Sequence, residues 1–549
     1  MNRLLPVGMQ DFVAIRERGF CYVDKTALIH KLVVGSGDAV FLSRPRRFGK
    51  TLLCSTLEAV FSGRRDLFGE IAGQPALAID SLEWAWKKHP VIHLSLGSGR
   101  LWRGVDDLDG AFKRQLQAQA IKLDLELPND SVEAMFLILL RRACKKFGEK
   151  AVVIIDDYDK PLLETIDDPI VQKQVRRDFG GLYAILKTYY TYLRFVFLTG
   201  RTRFSYVSLF SGLNNLDDIS LDSDFACICG ITQDELESTF EPEIAEILAG
   251  TEQSAEEYME RLRKYYHGYR FSKLPATVYS PSGLILDFDN GGKLSDDWYS
   301  STSPDSLIRL LTKHNLPILA LNPTRIAERS FRRLDFHKLE RAAVLYQSGY
   351  LTVSDYDEER DEYVLDFPNL GVSSTFARSF ASESIQVPEE DADALITNLP
   401  LTFAAGDIDG AIDAIRAFLA SIPHSIVFPS ENFYETAIFI MFKMLGIKCH
   451  VEMQLLIGRI DILVVVPQYV YCFEFKIIRP TGAPVSTMKL QKAATSAVAQ
   501  ITKNEYLLPW VRSRKKLYRV GVVIDGSTRN VGEWKCEMMD SAELTPVTK

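Results

Sequence analysis

The stretch AVFLSRPRRFGKTLLCSTLEAVF, residues 39–61, decides how the first half of the chain is read. It opens on an apolar run, passes through arginines, a proline and a glycine at 44–49, and continues with apolar residues at helical spacing. That order predicts strand, loop, helix. Three more strand-like runs follow, VIHLSL at 91–96, AVVIIDD at 151–157 and FVFLTG at 195–200, separated by helix-length stretches. Alternation of this kind predicts a parallel sheet with helices on both faces.

Phe48-Gly49-Lys50-Thr51 falls between the first strand and its helix, where a phosphate-binding loop presents backbone N–H groups, a lysine and a metal-ligating hydroxyl. Gly49 lets the backbone approach, Lys50 is expected to meet the β- and γ-phosphates of ATP, and Thr51 to hold Mg²⁺. Arg46, Arg47 and Phe48 belong to the same candidate nucleotide-binding loop. The general pattern GxxxxGK[ST] wants glycine where this chain has Arg44, and a bare GK[ST] is common by chance. A second feature sharpens the signal: the apolar run Val152-Val153-Ile154-Ile155 ends in Asp156 and Asp157. Phosphate-loop enzymes place one carboxylate beside the metal and another beside the attacking water in this way. Asp156 is then the metal-side acid and Asp157 the candidate base; the plain alternative is a pair of acids capping a strand end. Thr199, at the end of FVFLTG, holds the position of a polar residue that senses the γ-phosphate from a neighbouring strand tip.

At 549 residues the chain is too long for one core and predicts two to four domains. Hydrophobic residues at 47% and charged residues at 25% are ordinary globular composition. The net charge of −8 argues against a protein that coats nucleic acid non-specifically, while leaving room for a local basic groove. Only Cys227 and Cys229 of the eight cysteines lie close together, and none has zinc-ligand spacing, which predicts reduced thiols in a cytoplasmic protein. Apolar runs are strand-sized, so no signal peptide and no membrane span are expected. No repeat of fixed period and no low-complexity tract is present.

From about Ile231 charged amphipathic helices take over, as in QDELESTFEPEIAEILAG and SAEEYMERLRKYYHG, and 226–426 reads as a mainly helical lid and linker region. Within it, FHKLERAAVLYQSGYLTVSDYDEERDEYVLDFP at 336–368 reads as a helix followed by a β-hairpin, either a small winged-helix-like unit or an ordinary connector. A second α/β module spans 427–549: helix ENFYETAIFIMFKMLG, strands KCHVEMQLL, RIDILVVV and YVYCFEFKI, helix MKLQKAATSAVAQITKNEY and strand YRVGVVID.

YVDKTALI, FLSRPRRFGKTLLCSTLEAVF, VVIIDDYDKPL and FLTGRTRFSYVSLFSGLNNLDDIS, followed in order by YHGYRFS, LYQSGYLTV and GRIDILVV…FEFK, cover most of the chain. Together they resemble the signature blocks of an AAA-ATPase-like domain fused to a PD-(D/E)XK nuclease domain. The resemblance implies a multidomain α/β protein: a P-loop ATPase-like domain at 1–225, a restriction-endonuclease-like core at 427–549, ATP and Mg²⁺ as cofactors, and nucleic acid, DNA in preference to RNA, as partner. A homo-oligomer is left open. Arg44 belongs to the family's usual RPRRFGKT block. Two departures bear on turnover. The family has Asp-Glu where this chain has Asp156-Asp157, and the shorter Asp157 weakens water positioning. Arg201 stands where an uncharged residue is expected, which makes hydrolysis less secure than binding.

Nucleases of this type need clustered carboxylates for divalent ions and a lysine to orient water and offset phosphate charge. Asp461, Glu474 and Lys476 supply them. Residues 474 and 476 share a face of one strand. A hairpin around Pro467-Gln468 that pairs 466 with 469, or continues that register, sets Asp461 opposite Glu474 at about 5 Å between Cβ atoms. Pro467 favours the four-residue loop over the tight primed turn. Opposed acids in an apolar run call for compensation, either by a metal or by a structural pair with Lys476 or Arg459. The resemblance adds Glu431, with Glu435 as rival, and Gln500, for which a solvent-facing role is the alternative. The basic stretch Trp510–Lys516 could meet a phosphate backbone or stay a solvated loop.

The reading that follows is an ATPase coupled to a metal-dependent phosphodiesterase, an ATP-regulated nuclease of defence or mobile-element biology. The alternative is a nucleotide-switched nucleic-acid-binding or signalling protein with little or no hydrolysis or cleavage.

Overall fold

The structure is a computed structural model. It describes residues 4–97, 105–165, 168–203, 216–293, 324–331, 341–380, 389–422, 437–438, 441–442, 448–455, 458–479 and 485–539. The chain forms two compact units, the first of Met1–Leu307 with Arg325–Pro368, the second of Ile308–Thr324 with Asn369–Lys549. The middle stretch 226–426 is therefore divided between them, with 226–307 and 325–368 in the first unit and 308–324 and 369–426 in the second.

The first unit is built on a parallel sheet of order β2-β3-β4-β1-β5, with β1 Ala39–Ser43, β2 Val91–Ser95, β3 Ala151–Asp156, β4 Leu193–Gly200 and β5 Leu216–Asp218. All six residues of β3 are buried, as a parallel strand covered on both faces requires. The helices around it are α1 Phe12–Glu17, α2 Thr26–Gly35, α3 Lys50–Phe61, α4 Val105–Lys122, α5 Val132–Phe147, α6 Lys160–Glu164 and α7 Pro169–Thr188. The outer edge of β2 is closed by side chains: Gln115 and Gln119, one turn apart on α4, accept from the N–H groups of Ser95 and His93. Gln115 also donates to Ser95 O. These bonds occupy an edge that would otherwise accept a foreign strand.

Next come α8 Gln233–Thr239, α9 Glu241–Ala249, α10 Ala255–Tyr266, β6 Tyr269–Arg270, β7 Thr277–Val278 and α11 Pro281–Asp289. Thr232 with Glu235 and Ser254 with Glu257 form capping boxes that start α8 and α10. Apolar faces of these helices bury Leu236, Phe240, Tyr258, Leu262 and Leu284 in one cluster with Cys21 of the N-terminal strap, which is why this part of the middle stretch belongs to the first unit. After β8 Thr324–Ala327 and α12 Glu328–Phe331, the expected helix and hairpin are α13 Arg341–Ser348, β9 Thr352–Asp357 and β10 Glu362–Asp366, in a sheet of order β8-β10-β9.

The second unit contains α14 Leu370–Phe380, α15 Glu389–Ala405, α16 Ile408–Ser421, β11 Lys448–Leu455, β12 Gly458–Val465, β13 Tyr469–Ile478, α17 Thr487–Lys503, β14 Lys516–Asp525 and β15 Asn530–Met538. Its sheet runs in order β11 to β15, antiparallel except where β13 and β14 pair in parallel across the α17 crossover. Alternation on β13 sorts the faces. Val470 and Cys472 pack with Ile501 of α17, whereas Tyr471 and Phe473 pack against Phe403 of α15. Tyr471 also donates to Phe403 O, so α15 belongs with this sheet. The strand β15 was not among the sequence expectations.

Candidate nucleotide and metal sites

The phosphate loop runs from β1 to α3. Gly49 has φ +91°, which only glycine adopts without strain, and α3 starts from it with no side-chain cap, leaving first-turn N–H groups for an anion. Lys50 Nζ donates to Arg44 O at 3.0 Å and Pro45 O at 2.9 Å, closing the loop on itself. Thr51 Oγ1 donates to Asp156 Oδ2 at 2.7 Å, so hydroxyl and carboxylate meet as the sequence reading expects of a shared metal site. Asp156 is 1% exposed, and its Oδ1 has no hydrogen-bond partner among the described residues. Burial first, then the neighbouring Asp157, raises its pKa above the ordinary carboxylate range. A buried, half-satisfied carboxylate is expensive without a cation. These residues fit a divalent metal.

The rest of the loop is held from outside. Arg44 is buried: its guanidinium donates to Ser43 O, Ser220 O and Phe225 O and lies 4.2 Å from the Phe271 ring. The arginine where the general motif has glycine is thus an anchor for the segment after β5. Phe48, 1% exposed, packs edge-on against Tyr269 at 4.6 Å and Phe271 at 5.5 Å. Its ring packs in this cluster, and Phe48 also lines the neighbouring apolar cleft. Pro45 fits against Gly349, where any Cβ would collide with the proline ring, and Tyr269 Oη donates to Gly349 O. Arg46 and Arg47 are half-buried, Arg47 with φ 61°.

Asp157 is half-buried at the end of β3 with φ 50°. Thr199 is fully buried and donates its hydroxyl to Leu42 O at 2.9 Å. A phosphate contact from it would require giving up that bond. Sequence reasoning missed Asp159, a buried carboxylate that accepts from Arg201 N, Thr202 N and Thr202 Oγ1 at 2.6–3.0 Å and pins β3 to the end of β4. Its signal was the third acid of DDYD.

Beside the loop lies a cleft of about 90 Å³, lined by Tyr22, Val23, Gly49, Leu53, Ile231 and Pro281 among others, almost wholly apolar. Its apolar lining suits the face of a flat heterocycle.

In the second unit the hairpin keeps the expected register, Ile462↔Phe473 through Val465↔Val470, with residues 466–469 crossing the turn. Val466 N donates to Tyr469 O, while Val466 O accepts from Lys515 Nζ. Continuing the register sets Asp461 against Glu474, and Asp461 Oδ2 accepts from Phe475 N at 2.8 Å. Lys476 Nζ donates to Glu474 Oε1 at 3.1 Å and to Gln500 Oε1 at 2.6 Å, which brings α17 into the cluster. Glu474 is 3% exposed, and its Oε2 has no hydrogen-bond partner among the described residues. Burial, with Asp461 second, pushes its pKa up to about 7. Two facing acids, one orphaned oxygen and a tethered ammonium fit a divalent ion. Four of the sequence-predicted residues, Asp461, Glu474, Lys476 and Gln500, thus converge. Glu431, Glu435 and the side chain of Arg459 lie outside the described residues. In the basic stretch, Lys515 is taken by Val466 O and Trp510 packs on the Ile501–Tyr506 cluster. No described helix is long and apolar enough to cross a membrane.

Residues 6–210 match the family described as predicted AAA-ATPase, and residues 429–534 the PD-(D/E)XK nuclease superfamily. The chain is 32% identical over 498 residues to a protein of Azotobacter chroococcum mcd 1, described as an uncharacterized protein in the vnfD 5'region, a match spanning 89% of this chain and 92% of the relative.

Proposed function

Because the chain belongs to the family that joins a predicted AAA-ATPase domain to a PD-(D/E)XK nuclease superfamily domain, we propose that it is an ATP-regulated, Mg²⁺-dependent nuclease acting on DNA. The two domains are those of an ATPase and a metal-dependent nuclease, and they imply use of a nucleotide, a divalent metal and a nucleic acid. The observation that carries the finer reading is Glu474, buried beside Asp461 with one oxygen unpartnered and the other on Lys476. A divalent ion held by Asp461 and Glu474 supplies Lewis acidity and a lowered water pKa. Lys476, held between Glu474 and Gln500, would orient water and meet phosphate charge.

In the first unit Thr51 and Asp156 would hold the nucleotide's metal, Lys50 would exchange its loop carbonyls for phosphate oxygens, and the apolar cleft would take adenine. Asp157 would position water, and Thr199 would act from the neighbouring strand tip. The protein would act in the cytoplasm, and a role in defence or mobile-element biology rests on the domain pairing alone. The short Asp157 supports the second reading, a nucleotide-switched nucleic-acid-binding protein with little turnover.

The purified chain, incubated with plasmid and linear DNA in Mg²⁺ or Mn²⁺, with and without ATP, should cleave only with metal and at a rate that ATP changes. Metal-independent binding with no cleavage under any of these conditions would replace the nuclease by the binding-protein reading.

A further inference from the structure

Behind the phosphate loop, three side chains of different chemistry meet on the face of the sheet that α3 covers. Cys54 of α3, His93 of β2 and Asp156 of β3 each offer a ligand atom, and these atoms lie within 4.8 Å of one another. His93 Nδ1 is engaged by Glu58 Oε2 at 2.7 Å, one helical turn beyond Cys54. That leaves Nε2, which is buried and has no hydrogen-bond partner among the described residues, as does Asp156 Oδ1. Neither atom is explained by the packing of the sheet. Cys54 is fully buried, and burial, with Asp156 and Asp157 adding to it, pushes its thiol well above its usual range.

A thiol, an imidazole whose other nitrogen is on a carboxylate, and a carboxylate form a donor set that Mg²⁺ does not use and Zn²⁺ does. Glu58 has the place of the carboxylate that orients a metal-binding histidine. Ligand separations around zinc are roughly 3.5 Å from its bond lengths, so closing the cluster needs side-chain shifts of about an ångström. We propose that Cys54, His93 and Asp156 form a site for a thiophilic transition ion such as Zn²⁺, and that its occupation opposes Mg²⁺-nucleotide binding by claiming Asp156 from Thr51. Binding would displace one proton from Cys54 Sγ and change no oxidation state. The metal site stands apart from the nucleotide reading; only the antagonism rests on it.

The test uses the full chain, stripped of metal and without nucleotide, titrated with Co²⁺. The wild type should develop the near-ultraviolet charge-transfer band of thiolate bound to cobalt. Cys54→Ser and Cys54→Ala should lack it, and Glu58→Gln should weaken cobalt affinity roughly 10- to 100-fold. Circular dichroism checks that the variants are folded; if neither Cys54 variant folds, His93→Gln takes their place, with the same loss expected. A band that persists in folded Cys54 or His93 variants, or no band in the wild type, overturns the site. In a second titration, Zn²⁺ should weaken Mg²⁺-ATP binding about tenfold in the wild type and leave Cys54→Ser unaffected. If the cobalt band behaves as expected but Zn²⁺ leaves ATP affinity unchanged, the competition is overturned and the site is not. Failure of the wild type to bind ATP at all would instead remove the nucleotide reading and leave the cobalt result intact.

Discussion

Each unit sets a buried carboxylate on a strand, with one oxygen held and the other without a partner, but the two are held by opposite means. Asp156 is held by a neutral hydroxyl, Thr51, while the loop's lysine is committed to the carbonyls of Arg44 and Pro45. Glu474 is held by an ammonium, Lys476, itself tethered to Gln500. A second acid aggravates both, Asp157 in one and Asp461 in the other. Compensation for the buried charge therefore comes from different sources in the two units. The second unit carries its own cation at the acid, whereas in the first the loop's lysine is turned to the main chain.

Mutations at each site should act on that site alone. Lys50→Ala should lower ATP affinity by about a hundredfold or more, as expected for removing one member of a buried charge contact, and leave metal-dependent cleavage measured without ATP intact. Glu474→Gln should reduce cleavage by on the order of a hundredfold or more and leave ATP affinity unchanged. Titration calorimetry and a cleavage assay on both variants check this; a Lys50→Ala protein that is folded and binds ATP like the wild type removes the phosphate-loop assignment.

A smaller effect separates a metal site from a structural ion pair. Glu474, with its pKa pushed up to about 7, holds a proton more tightly folded than unfolded. The stability this confers is full below the ordinary glutamate range and is lost as pH rises through about 7, an effect of order 3 kcal/mol at most. In EDTA the wild type should therefore melt at a higher temperature at about pH 5.5 than at about pH 8. Glu474→Gln should flatten that slope, and Mg²⁺ should restore the loss at high pH. If Glu474→Gln instead melts well below the wild type in EDTA at high pH, and Mg²⁺ adds nothing, the pair with Lys476 is structural.

The smallest expected effect concerns Asp157. Restoring the longer acid with Asp157→Glu should raise ATP hydrolysis a few-fold, roughly a kcal/mol or less of barrier, without changing ATP affinity. A rate that stays flat or falls shows that the shorter acid suits its left-handed backbone position.

The sequence was most legible where arithmetic on backbone geometry suffices. Hairpin counting around Pro467 set Asp461 against Glu474, and strand periodicity aligned Glu474 with Lys476, because register in a sheet is close to digital. The phosphate loop was legible as strand, glycine, lysine and threonine. What was not legible depends on where a side chain turns at the end of an element. Thr199 turns back to Leu42 O, Phe48 turns into the Tyr269–Phe271 cluster, and Asp159 bridges two strand ends, none of which follows from spacing along the chain. The division of the middle stretch was equally hidden, since an amphipathic helix announces that it has a buried face but not which core receives it.

Pro45 packs against Gly349 and Phe48 against Tyr269, so lesions distant in the gene converge on one loop. A side chain introduced at Gly349 would push directly on the phosphate loop although the two are far apart in the chain. Substitutions in the blocks YHGYRFS and LYQSGYLTV should therefore phenocopy lesions in RPRRFGKT, and second-site suppressors of a Gly349 change should map to Pro45 and its neighbours.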